Sequence, residues 1–189
     1  MANETLMAAK RARPWRLVGR GMAASLLLVP LVAMQFTSEV NWTASDFLFA
    51  GALIGGVGVL FELTVRMSAS PFYRAGAALA LAAAFLLIWI NGAVGIIGSE
   101  NNPLNLLYLG VIAISLVGSA SAAFRPRGMA YAMFAAAAAM AAMAIVALAV
   151  GRGEPPGPIG LIVLNGFFAA LYFSAGWLFR IAGSRTHHG

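Results

Sequence analysis

Six carboxylates are spread along an apolar chain of 189 residues, and their positions limit the chemistry that it could perform. Glu62 is the only acid well inside an apolar stretch. Charged residues inside a membrane are functional candidates because burying them is costly. Arg66 follows at i+4, on the same helical face. We interpret the two as a local ion pair at a membrane interface, and the alternative is a proton- or ion-coupling role for Glu62.

Most of the other acids lie in polar segments between the apolar stretches. Ser45 or Asp46 is predicted to cap the helix that follows it, and Pro103 fits a first helical position with Asn102 as its cap. If the polar segments converged, their oxygens could bind a hard cation or a polar ligand. The alternative is that they are solvated caps and loop acids on the less positive side. The candidates for this site are Glu39, Asp46, Asn91, Glu100 and Glu154.

Two further polar residues lie deep within apolar stretches, Ser115 and Asn165. Such groups usually form hydrogen bonds between helices, so we favour that role over the lining of a pore. Small residues at helical spacing predict faces where helices pack closely, either within the protein or against a partner. These faces comprise Gly51, Gly55 and Gly58 on one helix and Gly166, Ala170 and Ser174 on another.

Several kinds of chemistry are excluded by the residues that the sequence lacks. Lys10 is the only lysine, which excludes a retinal Schiff base within a helix. The two histidines, His187 and His188, lie in the C-terminal tail, so no histidine within the membrane can ligate haem or a metal. There is no cysteine, no phosphate-binding loop and no Ser/His/Asp set. We therefore predict a non-enzymatic protein with no catalytic residue and no cofactor.

The elements that must position these residues are transmembrane helices. Hydrophobic residues make up 61% of the chain and charged residues 10%, whereas soluble domains are about 25% charged. A spanning helix needs about 20 mostly apolar residues. The sequence predicts an all-α fold, a polytopic bundle of six such helices. They are predicted at Leu17–Phe36, Asp46–Val65, Ala75–Gly95, Leu104–Phe124, Met129–Val150 and Pro158–Ile181.

The first stretch could also be a signal peptide, but it has no clean cleavage site of small residues, so we predict a retained helix. With the N-terminus inside, 11 of the 12 basic residues lie on the inner side and only Arg152 lies outside. Because this count places the basic residues near both termini on the inner side, the number of spans must be even. We predict a basic cytoplasmic segment over 1–16, a transmembrane domain over 17–181 and a cytoplasmic tail over 182–189.

The positive charge also predicts a partner. Basic residues at the ends of apolar stretches indicate orientation in a bilayer, so the net charge of +6 does not indicate nucleic acid. At the inner face they are expected to bind anionic lipid headgroups. The residues predicted to anchor the chain in this way are Arg13, Arg16 and Arg20.

A weak internal repeat relates two of the hairpins. Asp46–Gly51 aligns with Asn105–Gly110, and the same offset of 59 carries Arg66 to Arg125. This pattern favours three helical hairpins in parallel repeat, each with an acidic outer loop. Chance similarity between apolar helices is the alternative.

Three segments, at 41–47, 91–103 and 124–130, resemble a group of small bacterial inner-membrane proteins. The resemblance covers most of the chain from about Leu27 onward. It implies a bacterial inner-membrane setting and no particular activity. The leading hypothesis is a non-enzymatic bundle that associates with itself or with a membrane partner. The alternative is a small transporter or channel with its site beneath the acidic outer loops, where Glu62 would be an inner gate.

Overall fold

The computed structural model describes residues 21, 23–151 and 153–185, and this part of the chain is helical without a β-strand. The all-α fold class is thereby confirmed. Arg13, Arg16 and Arg20, Arg152 and the two histidines lie outside the described residues. The helices are α1 (Ala23–Ala33), α2 (Ala44–Met67), α3 (Pro71–Ala93), α4 (Leu107–Ser121, preceded by a 3-10 turn at Pro103–Leu106), α5 (Pro126–Val150) and α6 (Gly157–Arg185).

Among the residues that the structure describes, five helices are long and apolar enough to cross a membrane, so the chain has the structure of a multi-pass membrane protein. These are α2, α3, the 3-10 turn together with α4, α5 and α6. The sixth predicted span, Leu17–Phe36, extends outside the described residues. Its described portion is the shorter apolar helix α1, so the six-span count stays a prediction.

Two helices begin earlier than their hydropathy predicts. α3 begins at Pro71 and α5 at Pro126, although the predicted starts were Ala75 and Met129. The basic residues Arg74 and Arg127 lie in these first turns and lower the local hydropathy. Proline nevertheless suits a first helical position, because its missing N–H would have no partner there.

The cap of α2 also differs from the prediction. The helix begins at Ala44, so the capping residue is Thr43 and not Ser45 or Asp46. The backbone N–H of Thr43 donates to Asp46 Oδ2 at 2.7 Å, and the N–H of Asp46 donates to Thr43 Oγ1 at 3.4 Å. This reciprocal arrangement is a capping box, in which the third helical residue supports the cap.

The chain divides into two compact units between Val59 and Leu60. In the second unit, α5 packs against both α4 and α6, and α3 packs against α6. The core contains many alanines and methionines of α5 together with aromatic residues of the neighbouring helices. The largest fully buried aromatic side chains are Tyr73, Tyr108, Phe168, Tyr172 and Phe179.

Close approach of these helices depends on small residues. A Cβ added to Gly118 of α4 would lie 2.7 Å from the Cβ of Ala132, and one added to Gly176 of α6 would lie 2.8 Å from Phe134 Cδ1. Such contacts bring helix backbones together where no hydrophobic effect drives association. The alanine run of α5 is thus a packing surface.

The predicted small-residue faces are different. Apart from the adjacent residues and the helix's own nearby backbone, no described atom lies within 4 Å of a Cβ built at Gly51, Gly55, Gly58 or Gly166. Ala170 and Ser174 are likewise exposed. These faces are therefore available for contacts outside the described chain.

The α4–α5 turn is held by a side chain from α3. Ala123 and Phe124 have positive φ angles of 49° and 56°, which are uncommon for residues other than glycine. The hydroxyl of Tyr73 donates to the carbonyl of Phe124 at 3.0 Å. α4 ends at Ser121, before its predicted end at Phe124, because the chain leaves the helical region in this turn.

Candidate functional site

Asn105 organises the connection between α3 and α4. Its side chain is buried, with 6% exposed. Its Oδ1 accepts hydrogen bonds from the backbone N–H groups of Ile96 and Ile97, at 3.1 and 2.9 Å. Its Nδ2 donates to the carbonyls of Ser99 at 2.7 Å and Ile97 at 3.4 Å. We call residues 94–106 the Asn105 cap.

Two glycines allow the chain to make this fold. Gly95 and Gly98 have φ angles of 73° and 72°, a region that favours glycine. A Cβ at Gly95 would lie 2.4 Å from the carbonyl oxygen of Ser99. The tight path turns Ile96 and Ile97 into the core, where they are 0% and 1% exposed. The Asn105 cap therefore closes this end of the bundle with apolar side chains.

The α5–α6 connection lies against the Asn105 cap. The N–H of Gly98 donates to the carbonyl of Pro155 at 2.9 Å. A Cβ at Gly98 would lie 3.3 Å from Glu154 Oε2 and 3.4 Å from Asn102 Nδ2. Two of the three polar segments, whose convergence was one of two alternatives, therefore meet. The segment with Glu39 and Asp46 belongs to the other unit.

Two of the candidate carboxylates have local partners. Glu100 Oε1 accepts from Asn101 Nδ2 at 2.9 Å, whereas the hydrogen bond of Glu39 to Thr37 Oγ1, at 3.1 Å, is donated by its backbone N–H. Asp46 serves the capping box. Within the described part of the chain, no three His, Asp or Glu side chains gather. A cation or ligand site at these residues stays a prediction.

Asn91 has an unused hydrogen-bond acceptor. Its Nδ2 donates to the carbonyl of Leu87 one turn earlier, at 2.7 Å. Its Oδ1 is buried and has no hydrogen-bond partner. Buried polar atoms are normally satisfied, so an orphaned oxygen two residues before the end of α3 requires an explanation.

Glu62 and Arg66 form the ion pair that their spacing predicts. Arg66 Nε lies 3.1 Å from Glu62 Oε1, and the two side chains are 71% and 33% exposed, respectively. Exposed pairs of this kind contribute little to stability.

A second group of polar residues crosses the core of the bundle. The hydroxyl of Tyr108 on α4 donates to Asn165 Oδ1 on α6 at 3.2 Å, and Asn165 Nδ2 donates to the carbonyl of Leu161 at 2.9 Å. Seven residues further along both helices, the hydroxyl of Tyr172 approaches that of Ser115 without forming a hydrogen bond. Both pairs have a sequence offset of 57. We call these four residues the polar ladder.

The polar ladder corrects one prediction and confirms another. Asn165 forms the predicted hydrogen bond between helices, whereas Ser115 donates to the carbonyl of Ile112 in its own helix at 2.8 Å. Tyr108 and Tyr172 were not among the residues predicted to form hydrogen bonds between helices. The signal was present in the sequence, because polar residues recur seven positions apart in both helices. All four side chains are neutral in their usual state, so the ladder provides hydrogen bonds and no fixed charge.

Comparison with protein-family models, with curated proteins and with solved structures finds no match for this chain. The protein has three features that bear on its function: the glycine face of α2, the orphaned oxygen of Asn91 and the outer surface of α5 and α6.

Replacing Asn105 with Ala should destabilise the Asn105 cap. It removes the acceptor of two buried N–H groups, and one unsatisfied buried group costs about 1–3 kcal/mol. We expect the free energy of unfolding in mixed micelles to fall by about 2 kcal/mol or more, with faster hydrogen exchange at Ile96 and Ile97. Asn101→Ala, at an exposed position, is the control. Equal stability of the two variants would contradict the role of Asn105.

A double-mutant cycle with Tyr108→Phe and Asn165→Ala should detect the hydrogen bond within the polar ladder. We expect a coupling free energy of about 0.6 kcal/mol, and at most about 1.7 kcal/mol, as for other hydrogen bonds between membrane helices. The measurement is unfolding in mixed micelles. The control cycle pairs Asn165→Ala with Tyr131→Phe, whose side chain is 76% exposed. Equal coupling in both cycles would rule out the ladder contact.

Proposed function

We propose that the protein is a non-enzymatic, multi-pass protein of the bacterial inner membrane that acts by associating with a second copy of itself through α2. The observation that supports this proposal is the uncovered face formed by Gly51, Gly55 and Gly58. These glycines occupy one side of the helix at i, i+4 and i+7, and no described atom would contact their Cβ positions.

The physical reason is that association of membrane helices depends on close packing. Lipid tails are as apolar as leucine side chains, so apolar surface alone gives no preference for a protein partner. Glycines at four-residue spacing let two backbones approach and gain van der Waals contacts. Only one residue of α2, Ala50, is buried, whereas nine are buried in α5. α2 therefore has the surface on which a partner helix would pack.

Both ends of α2 have groups suited to the membrane interface. Near the N-terminal end, the rings of Trp42 and Phe47 lie 5.1 Å apart. Near the C-terminal end, Glu62 continues the glycine face and pairs with Arg66. Aromatic and charged residues at the two boundaries fix the depth of a helix, which keeps the glycines of two copies at the same level.

Orientation and location are part of the proposal. Eleven of the 12 basic residues lie on one side for six spans, with the N-terminus inside. On this topology Arg13, Arg16 and Arg20 meet the anionic lipid headgroups of the inner leaflet. The resemblance to bacterial inner-membrane proteins supports the same location.

Gly55→Leu should weaken association, because a bulky side chain would force the two backbones apart. Forced packing costs about 1–3 kcal/mol, so we expect the dimer dissociation constant to rise about tenfold. The matched control is Gly56→Leu, which makes the same change one residue later and turned away from the glycine face. No described atom lies within 4 Å of a Cβ at either position.

The measurement is energy transfer between donor- and acceptor-labelled copies in vesicles, titrated by lipid-to-protein ratio. A parent protein that stays monomeric at every ratio would refute self-association. Equal weakening by Gly55→Leu and Gly56→Leu would refute the assignment of the face.

The second candidate is a small transporter or channel, and the observation that favours it is the buried, unpartnered Oδ1 of Asn91. An orphaned carbonyl oxygen can coordinate a cation or accept a hydrogen bond from a polar ligand. Asn91 lies just before the Asn105 cap in the chain. A route would pass from the acidic loops to this oxygen, with Glu62 at the opposite end of the membrane.

A flux assay tests this candidate. Vesicles containing the protein and an indicator for Na⁺ or Mg²⁺ should accumulate the ion faster than protein-free vesicles. The combined variant Glu39→Gln and Glu100→Gln should slow uptake by removing two attracting charges, and Asn91→Leu should abolish it. Uptake equal to that of protein-free vesicles, or unchanged in all these variants, would eliminate transport of these ions.

A further inference from the structure

An open groove runs along the outside of the bundle between α5 and α6. Its volume is about 690 Å³, which lies within the range of small-molecule sites. Alanines form much of its surface, among them Ala137 on α5 and Ala170 on α6. The rings of Phe134 and Phe173 contact each other in this groove, with their centroids 5.3 Å apart and their planes tilted by 50°. The groove is thus apolar over most of its length.

The end of the groove nearest the C-terminus of α6 is charged. Arg180 lines this end, and its guanidinium carbon lies 5.7 Å from the centre of the Trp177 ring. Both side chains are exposed. Among the residues that the structure describes, the ion pair found is that of Glu62 with Arg66, so no described carboxylate neutralises Arg180.

The length of the groove corresponds to one leaflet. Ala170 and Arg180 are ten residues apart, which is about 15 Å along a helix. One leaflet of a bilayer has a hydrocarbon thickness of about 15 Å, half of the whole core. Ala170 lies near the middle of α6, and Arg180 lies near its end. In a bilayer centred on the middle of α6, the groove would extend from the centre of the membrane to the headgroups.

We propose that this groove binds one anionic phospholipid of the leaflet at the C-terminal end of α6. An acyl chain lies on the alanine surface beside the contacting rings of Phe134 and Phe173, and the phosphate pairs with Arg180, which Trp177 holds at the boundary. A guanidinium is suited to a phosphate because its planar donors form two parallel hydrogen bonds. A packed helix of a second copy would fill the alanine surface but would leave this charge without a counterpart.

The lipid site is separate from the dimer face, because it lies on α5 and α6, whereas the proposed dimer uses α2. It requires only that the helices cross a bilayer with Arg180 at a headgroup layer, on whichever side that layer lies.

Trp177 allows the site to be observed directly by fluorescence. The protein with Trp15, Trp42 and Trp89 replaced by Phe retains Trp177 as its single tryptophan. It is reconstituted in vesicles in which a fixed fraction of the lipid has brominated acyl chains, which quench tryptophan on contact. One series uses brominated phosphatidylglycerol, which is anionic, and the other uses brominated phosphatidylcholine, which is zwitterionic.

We expect the anionic lipid to occupy the site about fivefold more strongly, the factor that one basic side chain provides near an anionic surface. Arg180→Gln should remove this preference, and Arg180→Lys should retain much of it. Arg66→Gln removes the same charge from α2 and should leave the preference unchanged. Equal quenching by both lipids in the parent protein would overturn the proposal, as would an unchanged preference in Arg180→Gln.

A second pair of variants tests the alanine surface. Ala170→Phe fills the groove and should reduce the preference for anionic lipid, whereas Ala135→Phe, at an exposed position of α5 outside the groove, should not. If quenching by both lipids is weak and increases as the protein is diluted with lipid, a second copy occupies the groove and the lipid assignment is wrong. That result would leave association through α2 to be judged by Gly55→Leu alone.

Discussion

A buried backbone N–H must find its hydrogen-bond partner within the protein, and the break between α3 and α4 meets this constraint at two consecutive residues. The chain leaves the helical path at Val94, and its next residues turn back into the core. Ile96 and Ile97 are buried there, so their N–H groups cannot reach water. Asn105 supplies the acceptor for both. The burial of two isoleucines, the path of the loop and the start of α4 all depend on this one amide.

Small residues allow helices to pack closely, and in an apolar solvent this close packing holds the helices together. α5 has alanines where α4 and α6 pack against it, and each of those helices has a glycine at the contact. The same kinds of residue on α2 face no described neighbour. The contrast between the two sets is informative, because sequence spacing is similar in both. Only the structure distinguishes small residues that already have a partner helix from those that lack one.

The helices could be predicted because the bilayer imposes both length and hydropathy. The five long helices begin and end within four residues of their predicted positions, and the differences of four residues occur at the start of α3, where a proline begins the helix, and at the end of α6. Asn102 and Pro103 were also recognisable, since their cap is a local interaction. The role of Asn105 was not, because it serves residues eight and nine positions earlier in the chain through a fold set by two glycines.

The polar residues within the membrane are likewise predictable where they interact within one helix and unpredictable where they interact with another helix. The Glu62–Arg66 pair lies within one helix and follows from spacing alone. The polar ladder joins residues that are 57 positions apart in the sequence, and no local pattern predicts which helices lie next to each other. Ser115 illustrates the limit of such reasoning, because a serine in a helix can satisfy its hydroxyl on its own backbone.

The common offset in the polar ladder restricts how the bundle can move. α4 and α6 run in the same direction, and the Tyr108–Asn165 contact and the Tyr172–Ser115 approach occur at the same relative height. A slide of α6 along α4 by one residue, about 1.5 Å, would shift both pairs at once and stretch the hydrogen bond beyond its range. Piston-like motion of α6 is therefore opposed at the depth of the Tyr108–Asn165 hydrogen bond. Rotation of α4, α5 and α6 together as a rigid group preserves both pairs and remains open to the protein.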